Sequence, residues 1–450
     1  MSSPRVVTES EFRGHAFAEP ADFRGARFPS RAYFEGVDFR AGANFQGAVF
    51  EQGATFFDCR FAQANFSWCR FNYQAYFWRS HFEGEADFSQ ALILKGPNAP
   101  AGFLNNGEAN FSWAWFGGEA KFARVRIEGP AYFWATRFRS PADLSDIRFE
   151  SDARFEGAPW RVCVSRLELG SLYDELVRRG VLHPDPETSD GRFANFLGVE
   201  SEEQLVRRMG GALPADAVEA VRRLWTERAQ PMFSDRGAWL TGVTAANPSQ
   251  VLFTGVNLGR VRIAGSGLAG ARFEDVEWDH RRVFGALRRR SAAYDERECR
   301  ERRDYETVCG FYHDLRVSYE QKNRLETAGD FYYGEMEMRR MRQPRLWRAV
   351  SLTAWFKYLS GYGENYALAL AWLATVVLVL CPALYIAAGF GQRNPVQAVL
   401  HSLEVVTFLK ESGPAAAIIP VRFVEGVERV LAAALLGLFL PAIQRKFSRR

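Results

Sequence analysis

The sequence predicts a mainly β fold, a chain coiled into short stacked sides, with helical additions and a C-terminal pair of apolar helices. Three observations predict it. Phe recurs every five or six residues through the first third of the chain, and 38 Phe are present in all. A small side chain stands two residues before nearly every one of them. Residues 366–389 carry no charge over 24 positions, a run long enough to cross a bilayer. With 450 residues the chain is too long for one ordinary core and is expected to form several units.

The coil comes first. Phe12, Phe17, Phe23, Phe28, Phe34, Phe39, Phe45 and Phe50 open the series, and Phe56, Phe61, Phe66, Phe71, Phe77, Phe82 and Phe88 continue it. It resumes from Phe111 to Phe155, with Ile127 and Leu144 taking two of the places. A helix does not fit, because a step of five advances about 140° and scatters the rings over several faces. Glycines such as Gly25 and Gly47 would also each cost a helix about 1 kcal/mol. A plain strand does not fit either, since an odd step changes face each time. A chain that turns a corner every five residues fits all of it. Each side then points one Phe and one small residue inward, and the glycines serve corners where φ is positive. Successive coils stack at about 4.8 Å through backbone hydrogen bonds. The Phe ladder reads as core rather than as a recognition surface.

Six phrases carry a resemblance. "ADF" at 21–23 and 86–88, "ANF" at 43–45, 64–66 and 109–111, and "ADL" at 142–144 fit the motif A-(D/N)-(L/F)-x-x. The chain resembles the pentapeptide-repeat family, which implies a right-handed, four-sided β-helix; the alternating sixes depart from the strict repeat. Some members of that family mimic DNA, which needs a strongly acidic surface. Residues 1–160 carry 17 basic and 19 acidic side chains, so that role is not expected here, and no nucleic-acid partner is predicted.

The β-helix is expected over 1–170. The beat returns at Phe253, Leu258, Ile263, Leu268 and Phe273, which predicts one final coil over 249–278. The intervening 171–248, with "LVRRMGGALPADAVEAVRRLW", has helical periodicity and reads as a helical insertion. From 279 to 357 the composition turns to Arg and Glu, and a charged helical connector is expected. Val308, Tyr312, Leu315 and Tyr319 form one helical stripe there, and Phe331, Met338 and Met341 are core candidates of a second helix. "AGDFYYGEMEMRR" resembles the helical hairpin that precedes the membrane region in bacterial pentapeptide-repeat proteins with a channel-like tail.

The last unit, 358–450, is expected to be a two-helix transmembrane hairpin. Tyr366 to Gly389 is the first crossing, with Pro382 able to kink it, and Val427 to Ile443 is a weaker second one. Between them Asn394 can cap a short helix with Pro395 in its first turn. At about 14 residues this helix is too short to cross and suits a re-entrant segment. Arg339, Arg340, Arg342, Arg345, Arg348 and Lys357 precede the first crossing and "QRKFSRR" follows the second. The positive-inside rule therefore places both termini in the cytoplasm. The N-terminus lacks the apolar stretch of a secretory signal. The layout resembles a two-span pore-loop channel, with the pore-loop-like segment at 394–420. The expected location is the bacterial inner membrane, in contact with lipid.

The resemblance places the filter at Thr407, Phe408, Leu409, Glu411, Ser412 and Gly413, with Glu404 before it. These residues lack the Thr-Val-Gly-Tyr-Gly run whose carbonyls replace water around potassium. A Gly-Tyr-Gly does occur at 361–363, but before the first crossing, where it reads as a turn. In a symmetric oligomer Glu404 and Glu411 would form carboxylate rings that favour cations; in a single chain they sit in a headgroup-level loop. Glu425 and Glu428 can form a vestibule, or Glu425 can pair with Arg429 four residues on. Leu431, Leu435 and Leu438 are candidates for an inner apolar gate or for lipid contact.

The reading is a membrane channel or channel-like protein with a cytoplasmic β-helix that senses or scaffolds a protein partner. Two spans cannot enclose a pore, so a homo-oligomer is expected, a tetramer by family analogy. The alternative is a non-conducting membrane-anchored scaffold. No enzyme is expected: there is no phosphate loop, no H-E-x-x-H and no G-x-S-x-G. No cofactor or metal is predicted, and the six cysteines lie scattered without a C-x-x-C pair.

Overall fold

A computed structural model describes residues 5–97, 106–157, 161–164, 178, 183–184, 195–198, 218–219, 222–223, 231–234, 236–283, 288–389, 394–407 and 419–447. The chain divides into two units, residues 1–302 and 303–450.

In the first unit the Phe rhythm becomes a β-solenoid of about eight turns with four parallel faces. The first face holds nine strands, from Glu11–Arg13 to Arg272–Glu274. The second holds six, from Ala16–Phe17 to Arg137–Phe138, the third eight, from Ala21–Asp22 to Val261–Arg262, and the fourth seven, from Arg27–Phe28 to Thr244–Ala245. The mixture of fives and sixes does no harm to the stacking. Each coil repeats a similar mixture, so like pairs with like, as in Phe34 beside Phe56 and Phe39 beside Phe61. The rings stack face to face from coil to coil, Phe34 on Phe56 at 4.5 Å and Phe45 on Phe66 at 4.8 Å, and meet edge-on within a coil. Both arrangements suit the aromatic quadrupole. Ala26, Ala32, Val37 and Ala48 are fully buried beside them, where nothing larger would leave room for the rings.

The Asp or Asn of the motif works on the corners. Asn44, Asn65 and Asp87 each accept a hydrogen bond from the backbone amide two residues on, at Gln46, Ser67 and Ser89. These are Asx-turns, which bend the chain locally. In the early coils the bends fall on Gly14, Gly25, Gly36 and Gly47 with φ near +60°; in later coils Asp58, Trp68, Arg79 and Gln90 hold the same left-handed conformation.

Two boundaries differ from those expected. The solenoid resumes well before 249. Phe233 stacks on Phe138 at 5.5 Å, and Ala238–Trp239 and Thr244–Ala245 continue the third and fourth faces. The chain thus leaves after the first face, where Phe155 stacks under Phe253, and rejoins on the second. Residues 231–248 belong to the coil and not to a helical insertion. Most of 171–230 lies outside the described residues. Its described parts are mixed: His183–Pro184 and Asn195–Gly198 form a small antiparallel sheet with Arg161–Val164 before them, and 218–219 and 222–223 are helical. The second difference is at 279. Asp279–Val283 and Arg288–Ala292 pair as an antiparallel hairpin, so the helices begin only at Asp295. Arg281 and Arg290 of this hairpin both pair with Glu296 of helix α1, Asp295–Arg302.

The second unit is helical. Helices α2 (Tyr305–Gln321) and α3 (Leu325–Arg342) pack as a hairpin, burying the expected stripe of Val308, Tyr312, Leu315 and Tyr319 together with Phe331 and Met338. Gly334 permits their approach, because a Cβ there would lie 2.7 Å from the Tyr312 ring. A short turn, α4 (Trp347–Val350), leads to α5 (Leu352–Ser360). Helix α6 (Tyr366–Ala387) and helix α8 (Ile419–Phe447) are each long and apolar enough to cross a membrane. Within α6, Val376–Leu380 opens into a π-turn that ends two residues before Pro382, which supplies no amide to the helix. Between them lies α7 (Pro395–Thr407), of 13 residues, its first turn capped by Asn394 through the amide of Val396.

Candidate functional site

Five polar side chains meet where α6, α7 and α8 pack together. Tyr385 comes from α6, His401 and Ser402 from α7, and Glu425 and Glu428 from α8. All are buried, and Tyr385, Ser402 and Glu428 have no exposed surface. The shell around them is apolar: Val376, Cys381, Ala398, Val421 and Leu435. The Tyr385 hydroxyl and the Ser402 hydroxyl both donate to the Glu428 carboxylate, one to each oxygen. His401 Nε2 lies 3.0 Å from Glu425 Oε1, and the Tyr385 ring meets the His401 ring edge-on at 4.8 Å. Burying a carboxylate is costly unless hydrogen bonds and charge compensate it, and here each acid has its own partner.

The helical periodicity produces this meeting. Glu425 and Glu428 are three apart and so share a face of α8. Glu428, four and seven residues before the buried Ala432 and Leu435, lies on the side that packs inward. His401 and Ser402 lie on the inner side of α7 with Ala398 and Val405, all buried.

A second knot lies outside the apolar helices. The Gly361-Tyr362-Gly363 turn ends α5 with three successive left-handed residues, at φ of 57°, 61° and 79°. A left-handed non-glycine is strained, and Tyr362 is held there by burial and by its hydroxyl, which donates to Glu337 Oε2 of α3 at 3.0 Å. Glu337 also accepts from Arg340 at 2.7 Å and from Lys357 of α5 at 3.0 Å. Burial pushes the Glu337 carboxyl up, but the bonds and charges of Arg340 and Lys357 outweigh it and bring it down to about 2. Burial and the facing Glu337 charge push the Tyr362 phenol up. The tripeptide is a turn and a latch, as its position before the first apolar helix implies.

The solenoid surface offers a third feature, a groove along the third face lined by Gly42, Asn44, Gln63, Asn65, Glu85 and Asp87. Residues 6–49 and 45–92, which build that face, match the family described as "Pentapeptide repeats (9 copies)". Residues 6–92 are pentapeptide repeats. The repeat continues structurally beyond the matched stretch, to Phe273. No curated protein and no solved structure matches the chain.

Beside the pentapeptide-repeat solenoid, the residues singled out in the membrane-type region fall into three groups. Glu425 and Glu428 are in the cluster, and the acid partner of Glu425 is His401 rather than Arg429, which is exposed. Glu404 and Thr407 lie on the exposed side of α7, and the Thr407 hydroxyl donates to its own helix at Leu403 O, 2.7 Å. Phe408, Leu409, Glu411, Ser412 and Gly413 lie outside the described residues. Of the gate candidates, Leu435 is buried in the cluster's shell, Leu438 is half-buried and Leu431 is exposed. Sequence spacing missed Tyr385 and Ser402. The one available signal was that each is a hydroxyl inside an apolar stretch. Among the described residues no group of three or more metal-binding side chains converges.

Proposed function

We propose that the chain is a bacterial inner-membrane channel or channel-like protein with a cytoplasmic pentapeptide-repeat domain. In this reading α6 and α8 cross the bilayer, α7 is re-entrant, both termini are cytoplasmic and several copies enclose the ion path. The observation that carries it is the buried cluster of Tyr385, His401, Ser402, Glu425 and Glu428. An anchor needs no ionisable group at that depth, whereas conducting and transporting proteins place such groups between their helices. The exposed Glu404 and Thr407 are free to face a neighbouring copy and lead into 408–413, the stretch assigned to the filter. Without the potassium run, cation preference rests on carboxylate rings. No enzymatic chemistry is part of this reading, and a cytoplasmic protein is the partner assigned to the solenoid.

One observation favours the alternative, a non-conducting anchored scaffold. Glu425 and Glu428 spend their hydrogen bonds inside one chain, as structural groups would. The two readings separate in one experiment. The purified full chain is reconstituted in liposomes, cation flux is followed with an entrapped dye, and native mass measurement counts the subunits. The channel reading expects an oligomer whose flux falls in Glu428→Gln while the subunit count stays the same. A silent monomer removes it.

A further inference from the structure

The segment between α3 and α6 turns its apolar side chains the wrong way for a helix in water. Leu346 is 83% exposed and Leu352 is 86% exposed, and Trp347, Val350, Trp355 and Tyr358 are exposed with them. On α5 the exposed Leu352, Trp355 and Tyr358 are three apart, which makes one stripe on the helix. The opposite side is committed: Ala354 and Ser360 are buried, and Phe356 meets Tyr362 edge-on. A soluble helix buries its apolar stripe and wets the other. Here the outer stripe is apolar too, and among the described residues nothing covers it.

Three features point to one occupant. The stripe carries the Trp and Tyr that favour the boundary between headgroups and acyl chains. Arg345 and Arg348 stand at its start, and no Asp or Glu stands between Arg342 and Glu364, so its charge complements anionic headgroups. It is also continuous with α6: Trp372, inside the apolar helix, donates from its indole Nε1 to Tyr358 O at 3.0 Å. We propose that residues 346–358 are an interfacial collar, bound in the headgroup layer of an anionic bilayer with Trp347, Leu352 and Trp355 dipped into it. The proposal rests on the bilayer reading of α6 for its position, but it makes a separate claim about depth. The inner side of the collar is tied to α3 by the Lys357–Glu337 ion pair and by Arg340, whose guanidinium donates to Arg348 O at 2.7 Å. Lipid on one side and the α2–α3 hairpin on the other therefore hold the same short helix.

The test uses the full chain in phosphatidylcholine–phosphatidylglycerol liposomes. Two diazirine lipids are compared, one reactive beside the glycerol and one at the acyl terminus, and hydroxyl-radical footprinting reads water access at Trp347 and Trp355. The collar predicts labelling of 346–358 by the shallow probe, little by the deep one, and protection of both tryptophans from radicals. Trp355→Glu, at an exposed position and with its fold checked by circular dichroism against the parent, is expected to lower shallow labelling roughly tenfold, given the apolar area a Trp buries. Oxidation of both tryptophans at the rate of an exposed peptide overturns the proposal. So does protection without lipid labelling, which assigns the stripe to a second copy of the chain, and so does labelling by the deep probe. Failure of the bilayer reading is distinct: residues 366–387 then escape the deep probe whatever the collar does.

Discussion

Asp295 closes the end of the solenoid and carries a pH dependence with it. Its carboxylate accepts from the amides of Ile263 and Ala264, at 3.1 Å for each, while almost all of its surface is buried. Burial outweighs the amide bonds and pushes its carboxyl from 3.8 up to about 6. The folded state thus holds this proton more tightly than the unfolded chain does. Its stabilising contribution is complete below about pH 4 and is lost as pH rises through about 6, on the order of 3 kcal/mol. Asp295→Asn keeps an acceptor oxygen and removes the titration. Thermal unfolding between pH 4.5 and 7 should therefore drop less in the variant than in the parent; parallel curves would refute the assignment. Asp295 was not legible in the sequence, nor was the pairing of Glu425 with His401. Each joins groups more than 20 residues apart, which spacing along one helix does not register. The Phe positions were legible because every one repeats the same local environment.

At the scale of the element, the corners carry the argument. Gly25 has φ of +61° with open space where a Cβ would stand, so Gly25→Ala meets only the backbone penalty, about 1 kcal/mol. Gly53 has φ of +80°, and its Cβ would lie 2.8 Å from Gln74 Cγ and 2.9 Å from Gln74 O. Gly53→Ala should cost clearly more, and denaturant midpoints of the two variants check it; equal losses would mean that the corners yield. The elements that sequence reading misplaced are those that break its signal. Thr244–Ala245 is a two-residue strand without Phe, and the wall is held there by Val243 and Leu240 instead. The 279–292 hairpin is rich in Arg, which favours helices by propensity, yet cross-strand pairing and the Glu296 ion pairs decide otherwise. Helices α2, α3, α6 and α7 were legible because periodicity, charge-free length and the Asn394 cap are local properties.

At the scale of the whole molecule, the insertion is attached at a single corner. The rings of Phe138 and Phe233, and of Phe155 and Phe253, stack as if nothing intervened. Replacing 158–230 with a short flexible linker should leave the β circular dichroism signal and a cooperative transition in place, since loop length enters stability only logarithmically. Loss of the transition would show that the excised stretch is part of the solenoid's core. The division of labour follows the same plan. Aromatic stacking builds the long first unit from near-identical turns, while the helical unit gathers the ionisable chemistry.

The Glu337 latch has a mechanical meaning. From α3 one carboxylate grips Arg340 of its own helix, the lysine of the collar and the tyrosine of the turn that starts α6. The α3 helix, the collar and that turn are tied through this one group, so α3 and the start of α6 are joined by side chains as well as by the chain. Where a bare loop would have left a swivel, the chain has placed a clasp.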